Sequence, residues 1–282
     1  MDWSRAKTIL IIAFIITNLF LGYNVWQKSS YGYVDERAKE ERITEVVALL
    51  ESKGVEVEVV IPRDTQMQGI LTVEYMEIFP QELASLLFRD RSVYPVTQGN
   101  SVKYVDGSEI LEIKNNREVF YTNLDRRNGQ GGNLLERDAI RIGETFLKEI
   151  KLYKPGMVID KIASTETGYY INYIQQYQGR QVEVSLVQME VTSKGVYSMH
   201  MLWLNPVRID NNTKKIIPAI EALIKVVSKK EIAGKPPVII EGINLIYYFD
   251  WEDAKEGEAF PVWKIRVNGK NYYINALTGQ FN

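Results

Sequence analysis

Cysteine is absent from this 282-residue chain, and histidine occurs only once, as His200. Zinc sites use cysteine or several histidine ligands, so the sequence predicts no metal site of that kind. The same absence excludes a cysteine nucleophile. A Ser-His-Asp triad would have to use His200, and no Gly-x-Ser-x-Gly sequence accompanies it. We interpret His200 as a solvent-facing residue of a predicted strand over 196–204, on the same face as Ser198 and Leu202.

An excess of basic charge is also missing, since 34 basic residues stand against 36 acidic ones. Nucleic-acid binding needs a basic footprint, so no nucleic acid is expected as a partner. The carboxylates occur as scattered pairs, none of which matches the calcium-loop pattern. The glycines near residues 129–132 lack the Lys-Ser/Thr of a phosphate loop. The sequence therefore predicts no catalytic residue, no metal and no cofactor.

One long apolar run stands near the N-terminus, where residues 8–27 carry no charge. About 20 mainly apolar residues are needed to cross the hydrocarbon core, so this run predicts a transmembrane anchor. Arg5 and Lys7 precede the run and Lys28 alone follows it, which predicts a cytoplasmic N-terminus at 1–7 and an extracytoplasmic main domain. No small-x-small cleavage site follows. We expect a single-pass protein of the cell membrane.

The predicted anchor contains a polar residue, Asn18, with Gly22 four residues later on the same helix face. An amide in hydrocarbon gains by bonding to another helix, and a nearby glycine lets two backbones approach. Asn18 and Gly22 are therefore the candidate transmembrane contact. The alternative is one asparagine tolerated at a lipid-facing position.

Beyond the anchor, helical and strand patterns alternate and predict an α+β fold. We expect a first α+β domain over 28–122, a linker or long loop over 123–133, and a second α+β domain over 134–282. The second domain repeats one plan, a helix followed by antiparallel strands, in two units. Periodicity does not say whether these units share one sheet.

In the first domain, an apolar stripe from Ile43 to Leu50 predicts a helix that Gly54 ends. Strict alternation over 55–61 predicts a half-buried strand, and Pro80 begins a short helix. Three further strands are predicted near 102–105, 110–113 and 119–121.

In the second domain, helices are predicted over 134–151, where Asn133 is the candidate N-cap, and over 218–229. Ile220, Leu223, Ile224 and Val227 are expected to face inward from the latter helix. Predicted strands lie near 157–164, 168–177, 181–191, 196–204, 238–251, 261–267 and 271–276. Asn268-Gly269 is the strongest hairpin signal.

Two segments resemble a known family. The N-terminal segment Met1-Asp2-Trp3-Ser4-Arg5 running into Asn18-Leu19-Phe20-Leu21-Gly22 is similar to the opening of YycI proteins. The C-terminal segment Trp263-Lys264-Ile265 followed by Tyr272-Tyr273 and Thr278-Gly279 also resembles that family, and it is similar to the ends of PepSY-type domains. Length and layout agree along the chain, although the middle, about 60–160, shows no residue-by-residue match.

This resemblance implies a non-enzymatic, membrane-anchored regulator of a sensor histidine kinase, WalK (YycG), in the WalK/WalR (YycG/YycF) two-component system of cell-wall homeostasis in Gram-positive bacteria. It further implies a YycH-like companion protein and contacts through both the transmembrane helix and the ectodomain. Two alternatives remain from the residues. One is a PepSY-like extracytoplasmic domain that binds or inhibits a cell-envelope enzyme. The other is a cell-wall hydrolase using two carboxylates about 5–10 Å apart.

Overall fold

The computed structural model describes Phe14, Asn18 and residues 32–63, 67–89, 91–127, 134–233, 237–249 and 256–282. Most of the predicted anchor, including Gly22, lies outside these residues. In the part of the chain that is described, no helix has both the length and the apolar character needed to cross a membrane. The anchor over 8–27 therefore stays a prediction.

The N-terminal half begins with a helix that leads into short strands. Its elements are α1 (Gly32–Ser52), β1 (Val55–Val57), β2 (Met67–Gln68), β3 (Leu71–Tyr75), α2 (Pro80–Phe88), β4 (Val96–Gln98), β5 (Ser101–Asp106), β6 (Glu109–Lys114), β7 (Glu118–Asn123) and a 3-10 turn, η1 (Leu124–Arg126). Gly54, at φ +80°, follows the end of α1 as predicted. The strand predicted over 55–61 is shorter than expected, because ladder pairing with a neighbouring strand stops at Val57. Alternating exposure nevertheless continues to Ile61.

The C-terminal half contains the longer strands. Its elements are α3 (Glu136–Glu149), β8 (Met157–Ser164), β9 (Gly168–Tyr177), β10 (Arg180–Thr192), β11 (Gly195–Leu202), β12 (Leu204–Ile209), β13 (Lys214–Lys215), α4 (Ala219–Val227), β14 (Val238–Tyr248), β15 (Glu256–Val267) and β16 (Lys270–Asn275). The predicted hairpin at Asn268-Gly269 is confirmed, with φ of +48° and +76°. Such positive values are required by a two-residue turn whose twist matches that of its strands.

Two helix details differ from the prediction. Helix α3 begins at Glu136 with Leu135 as its N-cap residue, and no side chain caps it; Asn133 lies outside the described residues. In α4, Ile224 is 40% exposed, while Ala222 and Val226 are buried. The inward face therefore includes small residues, which let the helix lie close to the sheet.

Fourteen of the described strands form one sheet with the order β12-β3-β15-β14-β10-β11-β7-β6-β5-β4, to which β1, β8, β9 and β16 add at the sides, and β2 pairs with β13 in a separate two-stranded sheet. Most pairs are antiparallel, so the fold is α+β, as predicted. The predicted linker or long loop over 123–133 connects β7 to α3. β7 before it pairs with β11 after it, and residues 128–133 lie outside the described residues.

The two C-terminal units share this sheet, in which β10 and β14 meet at a narrow joint and β3 pairs with both β12 and β15. Strands β10 and β14 run parallel and are registered at a single pair, Val182 with Tyr247. The register of β10 against β9 shifts directly after Val182, between Val182 and Leu186. A large core under α2 and α3 includes Trp203, and a second core under α1 and α4 includes Trp263. The joint thus connects two half-sheets that each carry helices and a hydrophobic core.

Candidate functional site

Asn18, the described member of the predicted transmembrane contact, makes a local bond. Its Nδ2 donates to the carbonyl oxygen of Phe14 at 2.9 Å, and its side chain is exposed. An amide has two N–H donors and an acceptor oxygen, so this bond uses only part of its capacity. Gly22 lies outside the described residues, and the contact stays a prediction.

His200 lies on the sheet face that the helices do not cover. Its neighbours along β11, Met199 and Met201, are buried in the core, whereas the His200 side chain is 31% exposed. Its Nε2 lies 2.8 Å from Glu118 Oε1. The imidazole ring stacks on Phe120, with ring centroids 4.5 Å apart and planes 4° from parallel. His200 therefore belongs to a cross-strand cluster, in which no hydroxyl or thiol nucleophile is hydrogen-bonded to it within the described residues.

The cluster continues across the neighbouring strands. Lys114 Nζ lies over the face of the Phe120 ring, 4.6 Å from its centroid, and makes a cation–π contact there. Lys114 also lies 3.7 Å from Glu112, whose carboxylate accepts a hydrogen bond from Ser101. We call the half-exposed side of β5, β6, β7 and β11 around these residues the open face. Phe120 on this face is of a residue type that is enriched at protein interfaces.

A concave site lies on the opposite, helix-covered side, where α2 and α3 meet the ends of β6 and β7. This cleft has a volume of about 500 Å³, within the range of ligand sites. Its lining combines apolar residues of the two helices with three arginines and two glutamates, and we call it the arginine cleft. The lining residues are Leu86, Leu87, Phe88, Arg89, Arg91, Glu109, Arg126, Phe146, Glu149 and Ile150.

The floor of the arginine cleft is organised by Glu109, which is buried at an inward position of β6. Arg91 Nη2 donates to its Oε2 at 2.6 Å, and the Tyr121 hydroxyl donates to its Oε1 at 2.7 Å. Arg91 Nη1 also donates to Asp106 at 2.6 Å. The hydrogen bond to Glu109 raises the pKa of the Arg91 guanidinium above its usual value. Burial raises the pKa of Tyr121, and its bond to Glu109 adds to the rise.

Two carboxylates, Glu109 and Glu149, therefore line one cleft, which is the feature that a carboxylate hydrolase would need. Each already contacts an arginine. Glu109 accepts bonds from Arg91 and Tyr121, and Glu149 lies 3.5 Å from the exposed Arg89. Ion-pair networks of this kind also occur as structural features. The geometry gives no specific support to the hydrolase alternative.

A third polar cluster lies beside the joint between the two half-sheets. Lys264 Nζ donates to both carboxylate oxygens of Glu183, at 2.7 and 2.8 Å. The Tyr273 hydroxyl donates to Glu183 Oε1 at 2.7 Å. Burial raises the pKa of Tyr273, and its hydrogen bond to Glu183 raises this pKa further. We call these three residues the joint cluster, and its bonds link β10 to β15 and β16.

In the part of the chain that the structure describes, no three histidine, cysteine or acidic residues are grouped in a way that could hold a metal ion. Sequence reasoning missed the arginine cleft, although one signal was present. Glu109 continues the inward phase of Leu111 and Ile113 along β6, and a charge at a core position of a strand marks a buried ion pair or a site.

Comparison with known proteins adds a family match. The model of the YycI family, described as YycI protein, matches residues 35–277. Comparison with proteins of curated function gives no match.

Two solved structures are similar in fold. One is an uncharacterized protein from Eubacterium rectale ATCC 33656, with a TM-score of 0.57 and 11% identity, covering 81% of this chain and 90% of that chain. The other is the C-terminal domain of YpeB from Bacillus megaterium, with a TM-score of 0.40 and 16% identity, covering 73% of this chain and 96% of that chain. The similarity to the first structure concerns the fold alone. The similarity to the second is too weak to support an argument even about the fold.

Proposed function

The chain belongs to the YycI family, whose model matches residues 35–277, and from that premise we propose that it is a non-enzymatic regulator of a sensor histidine kinase of the WalK (YycG) type. It acts with a YycH-like companion protein in two-component control of cell-wall homeostasis. The family match is the single observation that carries this proposal, because it spans almost all of the chain beyond the predicted anchor.

The proposal includes a location. Residues 8–27 anchor the chain in the cell membrane, with residues 1–7 in the cytoplasm and the main domain outside. The uncharged run and the flanking Arg5 and Lys7 support this orientation. Protease added to intact protoplasts tests it. Digestion of the main domain supports the orientation, and full protection, with digestion only after lysis, contradicts it.

We place the ectodomain contact with the companion on the open face. Phe120, His200 and Lys114 present a stacked aromatic pair and a cation there, and aromatic residues are enriched at protein interfaces. Loss of a central aromatic from an interface often costs more than 1 kcal/mol. Phe120→Ser should therefore reduce co-purification with the companion.

The matched control is Arg141→Ser, on the outside of α3, where the arginine side chain is 73% exposed. This control should leave co-purification unchanged. Equal loss in both variants, or in neither, would show that the open face is not the contact.

The regulatory role is tested in cells. Transcription that depends on the kinase is compared in cells with the full-length chain, without it, and with residues 8–27 replaced by an unrelated apolar helix. A change in kinase output on deletion that only the full-length chain restores supports the proposal. Unchanged output on deletion would overturn it.

A further inference from the structure

Arg126 is positioned in the arginine cleft without a carboxylate partner among the described residues. Arg126 is the last residue of η1. At the start of η1, Asn123 Oδ1 accepts a hydrogen bond from the Asp125 backbone N–H at 3.2 Å. The Thr192 hydroxyl donates to the Arg126 carbonyl oxygen at 2.8 Å. These bonds fix the backbone from which the guanidinium enters the cleft.

The guanidinium itself lies against the backbone of Gly195. A Cβ on Gly195 would come within 3.1 Å of Arg126 Nη1, and this glycine has φ +119°. A larger residue there would crowd the arginine and strain the turn. The half-buried Arg126 side chain is therefore held in place by two segments of the fold that are distant in sequence.

The other charges of the cleft are already paired. Arg91 bonds to Asp106 and Glu109, and Glu109 is further bonded by Tyr121. Arg126, by contrast, has one long bond, from Nη1 to the Val196 carbonyl oxygen at 3.4 Å. A guanidinium carries five N–H donors, and a partly buried charge is costly unless it is paired. Among the cations of the cleft, Arg126 is thus the one that makes no ion pair within the described residues.

The remaining walls are apolar. Leu86 and Leu87 of α2, together with Phe146 of α3 and Ile150 directly after it, line a space of about 500 Å³. Exposed side chains, Arg89 and Glu149, stand at the rim of the cleft, so a small molecule in it would stay partly hydrated. A polypeptide segment, in contrast, would place one or two side chains in the cleft and continue along the surface.

We propose that the arginine cleft binds an acidic segment of a partner protein. An Asp or Glu carboxylate of that segment pairs with Arg126, and a bulky apolar neighbour packs between Leu87 and Phe146. The positive charge at Arg126 and the apolar walls select this chemistry together. The inference does not depend on which kinase or companion the chain serves, and it concerns the side of the sheet opposite to the open face.

The test uses the full-length chain in detergent and a random peptide display library. Selected peptides should be enriched in Asp or Glu next to Leu, Ile or Phe. Amide analogues of these peptides, with Asn or Gln in place of the acid, should bind about tenfold more weakly, because one charge-assisted hydrogen bond is lost. Absence of acidic enrichment, or equal binding of the amide analogues, would overturn the proposal.

Variants then locate the site. Arg126→Gln should weaken binding of the acidic peptides by about tenfold, whereas Arg127→Gln, the same charge change at the next and exposed residue, should not. Leu87→Gln tests the apolar wall without touching Arg126, and it should also weaken binding. Equal affinity in Arg126→Gln and Arg127→Gln, or unchanged affinity in Leu87→Gln, would contradict this site.

Discussion

Lys264 donates hydrogen bonds to both carboxylate oxygens of Glu183, at 2.7 and 2.8 Å, directly beside the joint between the two half-sheets. The two side chains are only 20% and 14% exposed. Because β10 and β14 are registered at a single residue pair there, this ion pair adds a side-chain link beside a short backbone contact. It joins the half-sheet under α3 to the half-sheet under α4.

Removal of the cation from this pair should destabilise the domain. Lys264→Met leaves the mostly buried Glu183 carboxylate with Tyr273 as its remaining bonding partner in the joint cluster, and we expect the free energy of unfolding to fall by about 3 kcal/mol. Urea denaturation measures this fall in the free energy of unfolding. The matched change Arg63→Met breaks a pair whose side chains are 69% and 57% exposed, and it should cost less than about 0.5 kcal/mol. Similar losses in the two variants would refute the role of the pair at the joint.

Loss of the hydroxyl group should have different effects on the free energy of unfolding at two buried tyrosines. The Tyr173 hydroxyl is buried without a hydrogen-bond partner among the described residues, so Tyr173→Phe should leave the free energy of unfolding unchanged or raise it by up to about 1 kcal/mol. Tyr121→Phe removes a bond to Glu109 and should lower it by about 1–2 kcal/mol. Destabilisation by Tyr173→Phe as large as that by Tyr121→Phe would show that the hydroxyl has a partner.

Stability should fall at alkaline pH. Burial raises the pKa of Tyr121, Tyr173 and Tyr273 in the folded state. In the unfolded chain these tyrosines titrate at about pH 10. Above that pH the unfolded state binds fewer protons than the folded state, so the free energy of unfolding decreases as pH rises. Below it these groups are neutral in both states and contribute no slope.

Denaturation measured between about pH 9 and about pH 11 tests this sign. Tyr173→Phe should reduce the alkaline loss by at most about 1.4 kcal/mol per pH unit. Tyr94→Phe, at a residue that is 81% exposed, serves as the control and should leave the slope unchanged. A slope that Tyr173→Phe does not alter would mean that this tyrosine ionises alike in both states.

The predicted anchor contact concerns one helix face. Asn18→Leu combined with Gly22→Leu removes the polar group and the small residue on which close helix contact depends, so crosslinking of the anchor to the kinase or its companion should decrease. Ile16→Leu combined with Phe20→Leu changes the opposite face of a helix with 3.6 residues per turn and should leave crosslinking intact. Unchanged crosslinking in the first pair would rule out this face.

Local features of the fold were predictable because they depend on neighbouring residues. Positive φ at Asn268 and Gly269 follows from turn chemistry, and the alternation of buried residues along β6 follows from strand geometry. The joint was not predictable. The parallel contact of Val182 with Tyr247 brings together strands that are distant in sequence, and periodicity carries no information on such pairing.

The arginine cleft shows the same limit. Glu109 lies at an inward strand position, but the other polar groups at the arginine cleft come from three other places in the chain. Arg91 follows α2, Tyr121 lies in β7 and Arg126 ends η1. Each was an ordinary surface or strand residue by its own pattern, and only the packing of α2 and α3 onto the sheet brings them to one cleft.

The central claim, that this YycI-family chain regulates a sensor histidine kinase through direct assembly, is tested most directly by co-purification. The full-length chain, tagged at its C-terminus, is isolated from membranes with mild detergent, and the retained proteins are identified by mass spectrometry. We expect a WalK-type kinase and a YycH-like companion among them, both reduced when residues 8–27 are replaced by an unrelated apolar helix. Recovery of the full-length chain from membranes without either protein would contradict it.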